Sequence, residues 1–323
     1  MIAAEQNTFH SYLEKHNGAN WAELLQKLVP SVHPVDQAAT QIWFSFWPLK
    51  LLRTLRQAED PQLVMRQFLL DGKYRLEEQI DSAVGFLYGV RFWPEVKRAI
   101  LAHAEKITRP EGTPLEQQIR QVASIVAGEQ KASESVVLGI TLVGFMILQQ
   151  VGIAPFFEVV NKPSARPRDT RTADQVLRVR NRERKAGFWN FLHRREDRRF
   201  VVTFDESREG CTFNAIRGQD LSMASATDLQ DHRNQDPRRI AGPIPAQCRS
   251  GACGYCWIGV LGGKERLSPL TPFERRRLRH FGYASTELEG NLYPPIRLAC
   301  QAKCYGDVSL VISPWNGILD GRE

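Results

Sequence analysis

Cys248-Arg249-Ser250-Gly251-Ala252-Cys253-Gly254-Tyr255-Cys256 is the stretch that decides the C-terminal half of this 323-residue chain. Its three thiols form a C-x4-C-x2-C run, and a fourth follows far downstream in Arg297-Leu298-Ala299-Cys300-Gln301. A thiolate loop of this kind must wrap one side of a compact inorganic core, so its backbone bends sharply and approaches closely. Gly251 and Gly254 permit positive φ and put no Cβ in the way. Successive amides in such a curl point inward and donate to sulfur, offsetting its negative charge. The Ser250 hydroxyl is a further donor. Cys248, Cys253, Cys256 and Cys300 are therefore the candidate metal ligands.

The spacing is that of plant-type [2Fe–2S] clusters, where thiolates hold two sulfide-bridged irons. Residues 248–260 (CRSGACGYCWIGV) and 297–301 (RLACQ) resemble the plant-type, β-grasp [2Fe–2S] ferredoxin family, with the ferredoxin domains of oxygenase reductases nearest in flavour. The resemblance covers residues 199–314. It implies one [2Fe–2S] cluster on those four cysteines, a low potential and one-electron transfer. The loop 249–255 is expected at the surface, where donor and acceptor approach, with Arg249 either a steering charge or simply solvated there. Two departures bear on partner specificity: 43 residues separate Cys256 from Cys300, and 231–242 is an extra polar stretch. Both read as surface insertions, which loops tolerate at small entropic cost.

Other uses of cysteine are weaker. A zinc site needs a second short knuckle, available only if Cys300 and Cys304 form one at x3 spacing. A redox dithiol expects a βαβ setting, and a disulfide framework expects a secretory signal. Cys211, in a strand pattern, reads as a small buried apolar residue. Cys304 reads as structural.

The flanking sequence supplies a scaffold. Phe200, Val202 and Phe204 alternate as a half-buried strand. A polar turn over 206–210 and a returning strand over 211–216 make a hairpin. Leu221, Met223 and Ala224 fit a short helix. Strands follow at 257–261 and 308–312. Thr271-Pro272-Phe273-Glu274 is a capping box with proline at the first helical position, starting a short basic helix.

The chain is too long for this domain alone. Residues 1–161 read as all-helical, a partner-docking domain. Asp60-Pro61 and Thr113-Pro114 are helix starts, and Gly128 is read as a stop. Ile42, Trp43, Phe46 and Trp47 form an aromatic stripe, as expected of core. His10, His16, His33 and His103 are scattered and read as surface or satisfied core residues. Residues 135–157 carry no charge, long enough to span a bilayer. Gln149, Gln150, Gly152 and Pro155 interrupt the apolar run, so a buried central helix is favoured over a span. Residues 1–12 lack the basic start and apolar core of a secretory signal.

The charge is concentrated. Residues 162–199 hold 13 Lys/Arg against five Asp/Glu, while the whole chain carries +7. This basic linker, 162–198, begins extended and flexible at 162–168, continues as a basic helix over 174–185, and carries an apolar patch at Phe188, Trp189, Phe191 and Leu192. It is a solvated connector, a dock for an acidic partner protein, or a membrane-surface anchor. No recognition motif supports nucleic-acid binding.

No dinucleotide fingerprint follows a strand, and no flavin domain, second cysteine-rich run or catalytic triad is legible. The expected fold class is a multidomain α + (α+β) chain: a helical domain (1–161), the linker, and a β-grasp ferredoxin-like domain (199–323). The expected function is a one-electron carrier, without its own substrate site, between a reductase donor and an acceptor enzyme. A fixed subunit of a larger, membrane-associated redox complex is the first alternative, and a cluster-based redox sensor or adaptor the second. The expected location is cytoplasmic, with the inner face of a membrane as the variant.

Overall fold

The uncharged run folds as the helix Glu134–Val151, followed after Gly152 by Ile153–Val160. In this computed structural model, which describes residues 8–161, 170–181, 198–228, 230–283 and 290–319, every side chain from Val137 to Val151 is buried. The helices Pro34–Phe46, Trp93–Lys106 and Leu115–Gln130 pack around it. Close approach needs small residues: a Cβ on Gly144 would stand 2.5 Å from Ile100 Cδ1, and one on Gly139 2.8 Å from Thr40 Oγ1. The two glutamines that interrupt the run are satisfied inside the fold. Gln149 Nε2 donates to His16 O (2.8 Å) and Gln150 Nε2 to Trp47 O (2.7 Å). This is an interior helix: buried polar groups keep hydrogen-bond partners, and each buried aliphatic contributes about 1.5–3 kcal/mol.

The other sequence signals resolve locally. Asp60 caps its helix by accepting from the Gln62 and Leu63 amides. Gly128 stops nothing: the helix Leu115–Gln130 runs past it and ends at Lys131 in the left-handed region. A glycine inside a helix costs about 1 kcal/mol, and the buried face of this one outweighs that. Ile42, Trp43 and Phe46 are core, and each of the four histidines has a partner, such as Gln118 Oε1 at 2.9 Å from His103 Nε2.

By compactness the chain falls into two units. One comprises Met1–Leu52 and Arg75–Ala173, the other Arg53–Tyr74 and Asp174–Glu323. The layout is an N-terminal helical region and a C-terminal mixed sheet, an α + (α+β) arrangement. The second unit draws the segment 53–74 from within the N-terminal half. The parts of the basic linker at 162–169 and 182–197, with the extended start and the 188–192 patch, lie outside the described residues. Its middle is the helix Ala173–Asn181. There Arg180 makes a two-pronged pair with Glu206, at 2.9 and 2.8 Å.

Among the described residues, seven strands belong to this unit: β1 (Asp71–Gly72), β2 (Arg199–Thr203), β3 (Thr212–Ile216), β4 (Trp257–Gly262), β5 (Ile296–Leu298), β6 (Val308–Ile312) and β7 (Trp315–Asn316). Five form one sheet in the order β3-β2-β6-β4-β5. The hairpin β2–β3 pairs Val202 with Phe213. β2 and β6 run parallel at the centre, with Val202 opposite Val308. β4 is antiparallel to both β6 and β5. The short helix Leu221–Ala226 follows the hairpin. β1 and β7 make a separate two-stranded ribbon, with Asp71 opposite Asn316.

Candidate functional site

Register places the second cysteine pair. β4 begins one residue after Cys256, and β5 ends two residues before Cys300. Trp257 opposes Leu298, and the Ala299 amide donates to Cys256 O at 2.9 Å. The two buried thiols therefore meet at the end of one ladder, and Cys256 donates a hydrogen bond to Cys300. The bond raises the Cys256 thiol well above its usual range, and burial adds to this. The same bond lowers Cys300 against the effect of burial.

The loop makes the other pair. Its conformation is left-handed at Arg249, Gly251 and Gly254, with φ of 53°, 77° and 71°. This turns successive amides inward. Burial pushes the Cys248 thiol up, but hydrogen bonds from the Cys253 thiol, the Ser250 hydroxyl and the Ser250 and Cys253 amides bring it down to about 6. The Cys253 amide lies 3.4 Å from Cys248 Sγ. Burial raises Cys253, and its bond to Cys248 raises it further, against a bond from the Tyr255 amide. The Gly251 amide is directed at Cys300, as is Gln301 Nε2 at 3.5 Å. Thus the backbone amides of Cys248, Ser250, Gly251, Cys253, Tyr255 and Cys300 and the Ser250 hydroxyl point at cysteine sulfur, the arrangement that stabilises sulfur-borne negative charge.

The structure brings all four predicted cysteines to one place as two pairs, Cys248 with Cys253 and Cys256 with Cys300. Cys248 and Cys300 feel each other's charge, as do Cys253 and Cys256. Among the described residues no group of three or more His, Cys, Asp or Glu is gathered to hold one metal ion. The donor chemistry, two pairs of thiols, fits a binuclear group in which each iron takes two thiolates. Cys211 and Cys304 stand apart as buried thiols, Cys304 donating to Gly306 O at 3.1 Å.

Three supports reach this site through contacts that no local sequence signal shows. The 43-residue insertion is one. It is not merely a surface loop. Its helix Pro272–His280 lies against the cysteine loop, with Arg277 Nε donating to Gly251 O (3.0 Å) and Nη2 to Ala252 O. Fully buried Phe281 sits where a Cβ on Gly254 would be, 3.2 Å away, and Tyr283 packs on Trp257 at 4.4 Å between ring centres. The second is a buried ion pair. Thr271 Oγ1 accepts from the Glu274 amide as the capping box requires, but the Glu274 carboxylate serves another purpose. It binds Arg297 through Nε (2.9 Å) and Nη2 (2.8 Å), and accepts from the Leu298 amide (2.8 Å). The insertion is thereby fastened to the strand that delivers Cys300. The third is β1: the Tyr255 hydroxyl, between Cys253 and Cys256, donates to Asp71 Oδ2. Burial and then the Asp71 carboxylate push Tyr255 up to about 12.

No family model matches the chain, and no solved structure matches it. The chain is similar to a protein named Ferredoxin from Bacillus thermotolerans, with 37% identity over 60 residues, which is 19% of this chain. The match spans 41% of that ferredoxin's length.

Proposed function

We propose that the C-terminal unit is a β-grasp ferredoxin domain and that the protein is a one-electron carrier between a reductase and a partner redox enzyme. The partial ferredoxin likeness suggests an electron carrier. The β-grasp reading is supported by the central parallel pair β2–β6, flanked by a hairpin and by β4–β5. The observation that carries the cluster reading is the pairing of the four cysteines within a curl of inward amides. Cys248, Cys253, Cys256 and Cys300 would hold a [2Fe–2S] cluster. Such a group, when bound, supplies reversible one-electron chemistry at a potential tuned by hydrogen bonds and exposure. The chain's own part is to hold the thiolates, donate amides to them, and keep Cys256 and Cys300 dry while Cys248 stays exposed. Residues 1–161 serve as the docking domain and the basic linker as a connector, in a cytoplasmic protein.

The test is composition and spectroscopy of anaerobically purified protein. Two irons and two acid-labile sulfides per chain are expected, with the rhombic electron-spin-resonance signal of a reduced [2Fe–2S] centre. Cys253→Ser should lose or strongly perturb the signal, and Cys211→Ser should keep it. Zinc in place of iron, or equal effects of the two substitutions, would refute the assignment.

A further inference from the structure

The exposed charges on the cysteine loop, on the segment after Cys300 and on the helix Pro272–His280 are of one sign, while Asp71 of β1 is an exposed carboxylate that meets the loop at Tyr255. Arg249 is exposed on the loop itself, with Nη1 3.5 Å from the Met223 sulfur. Met223 lies on the helix Leu221–Ala226, whose Leu221 and Ser222 amides bond to Ala302 O and Ala299 O, on either side of Cys300. Lys303 and Tyr305 continue that segment, both exposed, and the Arg217 guanidinium lies over the Tyr305 ring at 5.4 Å. From the insertion, the helix that holds the loop through Arg277 presents an exposed Arg276. Among the described residues, none of Arg217, Arg249, Arg276 and Lys303 forms an ion pair.

The carboxylates of the same region are engaged or retracted. Asp71 takes the Tyr255 hydroxyl, and Glu274 is buried against Arg297. Asp220 is half-buried near Lys303; burial pushes its carboxyl up and the Lys303 charge opposes this. Met223 and Tyr305 expose apolar surface between the cations, 41% and 40% of their areas. Methionine, tyrosine and arginine are the residues enriched where proteins meet.

We infer that this surface is the docking face for an acidic redox protein. The inference rests on the cluster reading above and adds the sign of the partner's charge. A positive field over the site of electron exit raises the encounter rate with an anionic partner by about 10- to 1,000-fold and is screened by salt. It suppresses wrong encounters with basic proteins by the same repulsion.

The experiment uses the full chain, chemically reduced without oxygen and mixed in stopped flow with two protein acceptors. One is an acidic blue-copper protein, the other a basic c-type cytochrome. In each case one electron leaves the reduced protein and converts cupric to cuprous copper, or ferric to ferrous haem, with no proton moved. The rate to the acidic acceptor should fall by about tenfold or more from low to high ionic strength. The double substitution Arg217→Glu with Arg276→Glu should cut the low-salt rate about tenfold and raise the rate to the cytochrome, while iron content and visible spectrum hold. Rates blind to salt and to the double substitution overturn the docking face, as does faster reduction of the basic cytochrome. Salt-blind transfer together with Arg276-dependent retention on phosphatidylserine vesicles or duplex DNA overturns it too, because the face then serves a different partner. A colourless protein free of iron overturns the cluster reading itself, and the docking face with it.

Discussion

Gly254 and Gly251 sit in the left-handed region, Gly254 against the buried Phe281 ring and Gly251 against the exposed Phe273. A Cβ at Gly254 would press three atoms of the Phe281 ring at 3.2 Å, and one at Gly251 would stand 2.9 Å from Phe273 Cε1. Gly210 shares the backbone conformation, with φ of +80°, but faces open space. Gly210→Ala should therefore cost only the backbone term, about 1–2 kcal/mol. Gly254→Ala should cost more and slow cluster reconstitution, read by chemical unfolding and by the return of visible colour. Cys304 gives a pH prediction. Burial holds its thiol up at about 11, above the ordinary value near 9. A thiol raised in the fold contributes stability that is full below pH 9 and is lost as pH climbs toward 11. Cys304→Ala should remove roughly 3 kcal/mol of that alkaline loss, seen as a shallower fall of the urea midpoint between pH 8.5 and pH 10.5. At this scale the curl of the cysteine loop was legible because cysteine spacing and glycine placement are local: nine consecutive residues carry its geometry. The role of Phe281 was not, because nothing near it in sequence says which glycine it will meet.

Among the elements, the helix Pro272–His280 shows where pattern reading stops. Its start was readable from Thr271 and Glu274. Its purpose was hidden, because the partner of Glu274 lies 23 residues on, at Arg297. Removing one member of so deeply buried a pair strands the other charge, at a cost of about 3–5 kcal/mol. Arg297→Met should thus destabilise the fold strongly and loosen Cys300, while Glu274→Leu with Arg297→Met should recover most of the loss. Thermal unfolding of the three variants decides it; a double variant no better than the single would show that the pair fixes geometry rather than charge. The helix Glu134–Val151 makes the converse point. Its burial was readable because Gln149 and Gln150 end the apolar run, and the structure satisfies both amides internally.

Across the whole molecule, the strand that completes the cysteine unit comes from within the first 75 residues. β1 pairs with β7, the Ile318 amide donates to Phe68 O, and Asp71 takes the hydroxyl of Tyr255. A two-residue strand has no periodicity to detect, so the sequence pointed to a contiguous ferredoxin-like segment starting near 199. A chain begun at Asp174 should keep the five-stranded sheet yet melt at a lower temperature. A peptide covering 53–74 should restore the loss. Asp71→Asn should lower the Tyr255 ionisation from about 12 toward the usual phenol range, followed by ultraviolet titration against a Tyr255→Phe control.

That pairing also sets a clock. At about 5–20 residues per second of synthesis, Asp71 leaves the ribosome on the order of 10–50 s before Asn316 exists to receive it. For that interval a short strand waits with its edge uncovered while the helices encoded between are already able to settle. On the proposed cluster reading, loading that depends on Tyr255 being held must come after the chain has closed on itself. Cluster assembly, as proposed, is accordingly expected to be a late event of biogenesis rather than one that accompanies elongation.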